Sequence, residues 1–179
     1  MLHIYDDTHP ILREKAKEVA YPYSKEDIST LKEMVDFLIK SQDDEYAAKH
    51  NIKAGIGLAA PQIGISKRMF AVYLKEEDKI YKYGLINPTI LRTSVKKSYL
   101  SGGEGCLSVP ISHPGLVMRY YKTVIQAYDV FQEKEITITA YGYLSICIQH
   151  EYDHLDGILY YDHIDKKNPA KKDFGAVEI

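Results

Sequence analysis

Residues 142–157 read GYLSICIQHEYDHLDG. Leu144, Cys147, Ile148, Glu151, His154 and Leu155 recur at spacings of three and four, the period of a helix with one buried face, and Gly157 supplies the stop. His150 and His154 stand four apart on that helix and differ by only about 40° in azimuth, so both imidazoles can reach one ion from adjacent turns. Glu151 lies roughly 100° from His150 and 60° from His154 around the axis, near enough to touch a metal-bound water without filling a coordination position. With seven His and twelve Glu in 179 residues, random order would produce His-Glu-x-x-His only about 0.02 times per chain. The apolar neighbours Ile146, Cys147, Ile148 and Leu155 would bury this turn, and buried unpaired histidines and glutamate are costly unless something satisfies them. Asp153 and Asp156 read as exposed helix carboxylates in preference to partners that orient an imidazole.

Outward from this helix, Ser24 and Asp27 form a capping-box-like start, and Ile28, Leu31, Met34, Val35 and Leu38 follow at helical spacing, predicting a helix over 24–40. The polar run 41–54 either prolongs it or forms a loop. Extended runs are expected at Met69 to Leu74, Tyr83 to Asn87 ahead of Pro88, Ser94 to Leu100, Leu116 to Val130 and Glu135 to Ala140. Their short connections favour antiparallel pairing, and helices set apart from strand runs make the class α+β. The tail DKKNPAKKDFGAVEI (165–179) reads as a solvated terminus. Residues 1–179 are read as a single domain, which is the expectation at this length.

Lys+Arg number 23 against 25 Asp+Glu, so no global field draws the chain to nucleic acid or to a membrane. The start MLHIYDDTHPILREKAK lacks the basic and apolar regions of a secretory signal, and no run reaches transmembrane length. Cys106 and Cys147, the two cysteines, form no CxxC pair and suit a reducing cytoplasm. A disulfide between them would prevent Cys106 from binding a metal.

A catalytic ion of this kind needs three protein ligands and an open position. Two candidates exist: His163, in the strand-like run LYYDH (159–163), and Cys106, in EGCLS (104–108). Cys106 is preferred, because a thiolate is a strong ligand and Gly105 would let the backbone come close to the ion. Glu104 pairs with Arg119 to pin the Cys106 loop, or the two form a surface charge pair. Upstream, GIGLAAPQ (55–62) combines paired glycines with one amide, Gln62, as expected where backbone runs beside a ligand; no Lys-Ser/Thr follows, which excludes a phosphate loop.

GIGLAAPQ, EGCLS and QHEYDH (149–154), in this order and at these separations, resemble the three signature motifs of the peptide deformylases. The likeness extends to HPILREKA (9–16), ISKRMFAV (65–72), LINP (85–88) and GYLSICIQH (142–150). The stretch SQDDEYAAKHNIKAGIGLAAP (41–61) is similar to the longer, Gram-positive forms. Those forms usually carry an aspartate after the valine of EGCLSV, where this chain has Pro110 as the shorter forms do.

The resemblance implies antiparallel sheets packed around a central helix that carries the HExxH motif. It implies removal of the formyl group from the N-terminal formyl-methionine of nascent bacterial polypeptides. Cys106, His150 and His154 would hold one divalent ion, Fe2+ in the cell with Zn2+, Ni2+ or Co2+ as substitutes. Glu151 would move the proton, and Gln62 and the Leu107 N–H would hold the developing oxyanion. By the same analogy the substrate backbone lies along Ile56, Gly57 and Gly105, and its methionine enters a pocket at Tyr143, Ile146 and Cys147. A cytoplasmic location and a transient ribosome contact belong to this expectation; membrane attachment and specific nucleic-acid binding do not. An HExxH-type metallo-endopeptidase is the alternative, and it would need a downstream His or Glu as third ligand. A purely structural metal would need a fourth protein ligand and has no use for Glu151.

Overall fold

A computed structural model describes residues 2–179. The strand β2 (Met69–Glu76) shows why two helices are needed. Its first six residues are all buried, because successive side chains alternate between the two faces of a sheet. Phe70, Val72 and Leu74 join a core with Leu144, Cys147, Ile148 and Leu155. Met69, Ala71 and Tyr73 join another with Leu31, Met34, Val35 and Leu38. Each face therefore has its own helix: α3 (Gly142–Leu155) on the first and α1 (Lys25–Ser41) on the second.

The sheet at the centre has five antiparallel strands in the order β1-β2-β3-β6-β7, with β1 at Gly57–Ala59, β3 at Lys79–Thr93, β6 at Lys122–Asp129 and β7 at Lys134–Tyr141. A smaller sheet has the order β5-β4-β8, from Arg119–Tyr120, Lys97–Tyr99 and Val177–Glu178. The helix α3 reaches both sheets. Its apolar residues face the large one, while Ser145 Oγ and Gln149 Nε2 donate to the Tyr120 carbonyl of β5 at 2.9 and 2.8 Å. The chain is thus α+β, with a large antiparallel sheet and a smaller mixed one around a central helix.

The helix ends follow their local chemistry. Ser24 Oγ accepts from the Asp27 N–H at 3.0 Å and caps α1. The helix is not prolonged past Ser41. A new cap, Asp43, accepts from the Tyr46 N–H at 2.8 Å and starts a separate helix, α2 (Asp44–His50). At the far end of α3, Ile158 N–H bonds the Asp153 carbonyl and Gly157 N–H the His154 carbonyl, with Gly157 at φ 72°. This Schellman closure needs a residue that tolerates the left-handed region.

Several strand expectations are corrected. The extended run at Tyr83 does not end ahead of Pro88 but continues to Thr93, with the register breaking between Ile86 and Thr89 where proline has no N–H to give. The run Leu116 to Val130 splits into β5 and β6, and the run Ser94 to Leu100 shrinks to β4. The tail is not wholly solvated. Val177 and Glu178 pair with β4, in parallel rather than antiparallel sense, and the Tyr99 hydroxyl donates to Glu178 at 2.7 Å. The short apolar stretch at the end outweighs the lysines before it.

Two stability tests follow from these local features. A Cβ on Gly157 would lie 2.7 Å from the Arg13 backbone at a positive φ, so Gly157→Ala is expected to lower unfolding free energy by about 1–3 kcal/mol in urea titration. Burial raises the Asp27 carboxyl, but hydrogen bonds from Lys67 and Ser24 outweigh it and hold it below its ordinary value. A group depressed in the folded state stabilises above its unfolded pKa and loses that effect as the pH falls through the folded one. The stability difference between wild type and Asp27→Asn should accordingly be largest above about pH 5 and shrink as the pH drops below about 3.9.

Candidate metal centre

The three preferred ligands come from two elements distant in sequence. Cys106 Sγ and one ring nitrogen each of His150 and His154 all lie within 4.8 Å of one another, and Cys106 Sγ is 3.3 Å from His154 Nε2. Both cysteines are free thiols. His163, the competing third ligand, is bonded to Asp153 at 2.7 Å instead of joining this group.

Orientation of His150 is set by Glu104, whose Oε2 accepts from Nδ1 at 2.8 Å. Glu104 is itself held by Arg119, through Nε at 2.8 Å and Nη2 at 2.9 Å, and both side chains are 4% exposed. The pair is a buried one that pins the Cys106 loop, not a surface contact. Burial raises the Glu104 carboxyl, but the Arg119 guanidinium and His150 outweigh it and bring it down to about 2. An ionised Glu104 accepts only, so the proton of neutral His150 sits on Nδ1 and the other ring nitrogen keeps its lone pair.

The reading of Asp153 and Asp156 as free surface carboxylates is corrected. Asp153 bonds Arg119 Nη1 and His163, and Asp156 bonds Arg68 Nη1 at 2.7 Å. Arg119 lies on a different strand, so no pattern within the helix could announce the contact.

The donor set fits a divalent ion. Burial and the neighbouring His150 push the His154 imidazole well below its ordinary range, which keeps it neutral as a ligand must be. Burial also lowers His150, but Cys106 and Glu104 outweigh it and raise that imidazole well above its usual value. Glu151, 4% exposed, is pushed up by burial to about 7. Its Oε2 finds no hydrogen-bond donor among the described residues. A buried acceptor left unmatched costs about 1–3 kcal/mol, so the site calls for a donor from outside the chain.

Gln62 sits in the 3-10 turn Ala60–Ile63, buried, with a fixed orientation. Its Oε1 accepts from the Ala59 N–H at 2.8 Å, which turns Nε2 toward Ser108 Oγ at 3.1 Å and Cys106 Sγ at 3.5 Å. Gly57 is required by close packing, since a Cβ there would stand 2.7 Å from Glu151 Cγ. Gly105 borders open space. A Cβ there would meet no protein atom within 4 Å.

These residues share one cavity of about 320 Å³, lined by Ile56, Gly57, Gln62, Gly105, Cys106, Leu107, Tyr143, Ile146, Cys147, His150 and Glu151. His154 is buried beside it, 1% exposed. Burial holds the Cys147 thiol far above its ordinary value, making it a neutral wall residue. Lys53, Leu100, Val109, Ser112 and Tyr160 also line the cavity and were missed by sequence reasoning, while Pro110, which the sequence marked only as a difference from the longer forms, lines it too. Of these, Tyr160 lies parallel to the His150 ring, 6.1 Å between centroids and 19° between planes; the aromatic run LYYDH was its only sequence signal.

The sequence and fold match those of known proteins. Residues 1–170 match the family model of polypeptide deformylase. The chain is 48% identical to the peptide deformylase of Staphylococcus epidermidis, covering 100% of this chain and 98% of that protein. It is 44% identical to peptide deformylase 2 of Bacillus subtilis, covering 100% and 97%. Among solved structures, the peptide deformylase of Thermotoga maritima superposes with a TM-score of 0.72 at 28% identity, over 92% of this chain and 98% of that one. The Synechococcus elongatus enzyme in complex with actinonin gives 0.72 at 32% identity, over 93% and 82%. From the full-length likeness and the matched family model, the chain belongs to the polypeptide deformylase family.

Proposed function

We propose that this enzyme removes the formyl group from the N-terminal formyl-methionine of newly made proteins, giving formate and a free amine. The observation that carries the reading is the convergence of a thiol and two imidazoles at one cavity, which the buried Glu151 carboxyl and the oriented Gln62 amide also line.

Cys106, His150 and His154 would hold the ion. When bound, it supplies an acidified water and polarises the formyl oxygen. Glu151 takes the proton of the attacking water, whose oxygen bonds the formyl carbon. Glu151 then delivers that proton to the amine as the carbon–nitrogen bond breaks. Gln62 Nε2 and the Leu107 backbone N–H donate to the negative oxygen of the tetrahedral intermediate, where charge is greatest in the transition state.

The edge position of β1 in its sheet supports substrate pairing along Ile56 and Gly57, with Gly105 on the opposite bank. Tyr143, Ile146 and Cys147 form the wall for the methionine side chain. Backbone pairing tolerates many following residues, as a housekeeping step requires.

Ferrous iron in the cell is the metal of this reading, with zinc, nickel or cobalt as substitutes, since a thiolate and two imidazoles accept all four. The enzyme acts in the cytoplasm on chains leaving the ribosome, with at most a transient contact there and no specific nucleic-acid recognition. Among the described residues no helix is long and apolar enough to cross a membrane.

Incubation with a formyl-methionyl peptide, its N-acetyl counterpart and a denatured protein should yield formate from the first and no new amines from the others; absence of formate would refute the proposal. Glu151→Gln should lower kcat by about 10²–10⁴-fold while the metal stays bound, and loss of metal instead would make Glu151 a ligand. Protein purified without oxygen should contain iron on elemental analysis, and reloading the apoprotein with each ion in turn should restore activity best with Fe2+.

A further inference from the structure

The 3-10 turn Tyr160–His163 reaches His150 by two separate routes. On the first, Tyr160 lays its ring parallel to the imidazole, and its hydroxyl accepts from the His113 N–H at 3.0 Å, which fixes the ring. The second is a polar chain. His163 Nε2 donates to Asp153 Oδ2 at 2.7 Å, and Arg119 Nη1 donates to the same oxygen at 2.5 Å. Arg119 then grips Glu104 through Nε and Nη2, and Glu104 Oε2 accepts from His150 Nδ1.

Arg119 is one cation serving two carboxylates. Its fork is planar and rigid, so a pull at Nη1 is felt at the nitrogens that hold Glu104. His163 gives Asp153 a second donor, which limits the pull of Asp153 on the guanidinium. The exposure of the side chains rises along the chain, from 4% at Glu104 and Arg119 to 18% at Asp153 and 37% at His163. His163 is therefore the solvent end of a network whose other end is a ring nitrogen of His150.

We propose that His163 is a positioning residue that fixes the geometry of His150 as a metal ligand, acting through Asp153, Arg119 and Glu104. The inference rests on the reading of His150 as a ligand. A general role in holding the turn is separable from it, because the turn has another anchor, the Arg13–Asp162 ion pair, whose side chains make no hydrogen bond to Asp153, Arg119, Glu104 or His150.

Wild type, His163→Ala, His163→Gln and Arg13→Ala are loaded with Co2+ under anaerobic conditions. The visible spectrum, the rate of metal release to a chelator and the thermal midpoint are recorded for each, with kcat and KM for a formyl-methionyl peptide. Direct outer partners of a ligand are worth about 10–100-fold in metal affinity; at three contacts' remove, His163→Ala should release cobalt about 3- to 10-fold faster with a shifted spectrum. Its kcat should fall while KM holds. His163→Gln, which keeps an N–H donor, should recover part of the change, and Arg13→Ala should lower the thermal midpoint with spectrum and release unchanged. Equal spectra and release rates for His163→Ala and wild type overturn the proposal, as does an equal effect of Arg13→Ala. If His163→Ala does not fold, His163→Asn, polar but too short to reach, takes its place in the same comparison. Failure of wild type to take up cobalt at all would instead overturn the metal reading itself.

Discussion

The buried pair of Glu104 and Arg119 is the contact on which the rest of the site depends. Taking two charges out of water costs several kcal/mol per ion, and removing one partner of such a pair typically costs about 3–5 kcal/mol. What the pair gives in return is geometry. Glu104 stands two residues before Cys106, Arg119 lies on β5, and the groups they bond, His150 and Asp153, are on α3. Three segments far apart in sequence are thereby held in one arrangement. A hydrophobic substitute of similar size could fill the space but could not hold the Nδ1 proton of His150 in place.

Those parts of the molecule that depend on local chemistry were legible in the sequence. The helix α3 was visible from the period of Leu144, Cys147, Ile148 and Leu155 and from Gly157, and α1 from Ser24 and its apolar stripe. What stayed hidden was pairing at a distance or elements too short to carry a pattern. Strand β1 has three residues of glycine, leucine and alanine, without the β-branched signature of strands. Strand β8 lay behind a run of lysines. Asp153 looked like a solvated helix acid because its partners, Arg119 and His163, lie outside the helix. Cys106 stood out through its chemistry and neighbours, since an isolated thiol is more often a core residue.

Glycine has two opposite duties in the cleft. At position 57 it is needed because the Glu151 carboxyl already fills the space a side chain would take; at position 105 it leaves space that nothing else occupies. The first sets the Glu151 carboxyl against a sheet edge. The second leaves a passage beside the thiol. Close packing on one bank and openness on the other give a rigid floor with room above it, which suits an enzyme that must hold one end of many different chains.

The pairing of β8 has a consequence for the order in which the molecule is completed. The Ile179 N–H bonds the Tyr99 carbonyl, and the Ser101 N–H bonds the Ile179 carbonyl, so the approach to the Cys106 loop is stitched by residues made long after it. The Glu104–Arg119 pair that pins the Cys106 loop needs only β5 and α3, whereas the strand leading into that loop gains its outer hydrogen bonds from residues 177–179. During its own synthesis the chain therefore passes through a stage in which the segment before Cys106 is still without its β8 partner. The small sheet is closed by its most sequence-distant pairing, the one between β4 and β8.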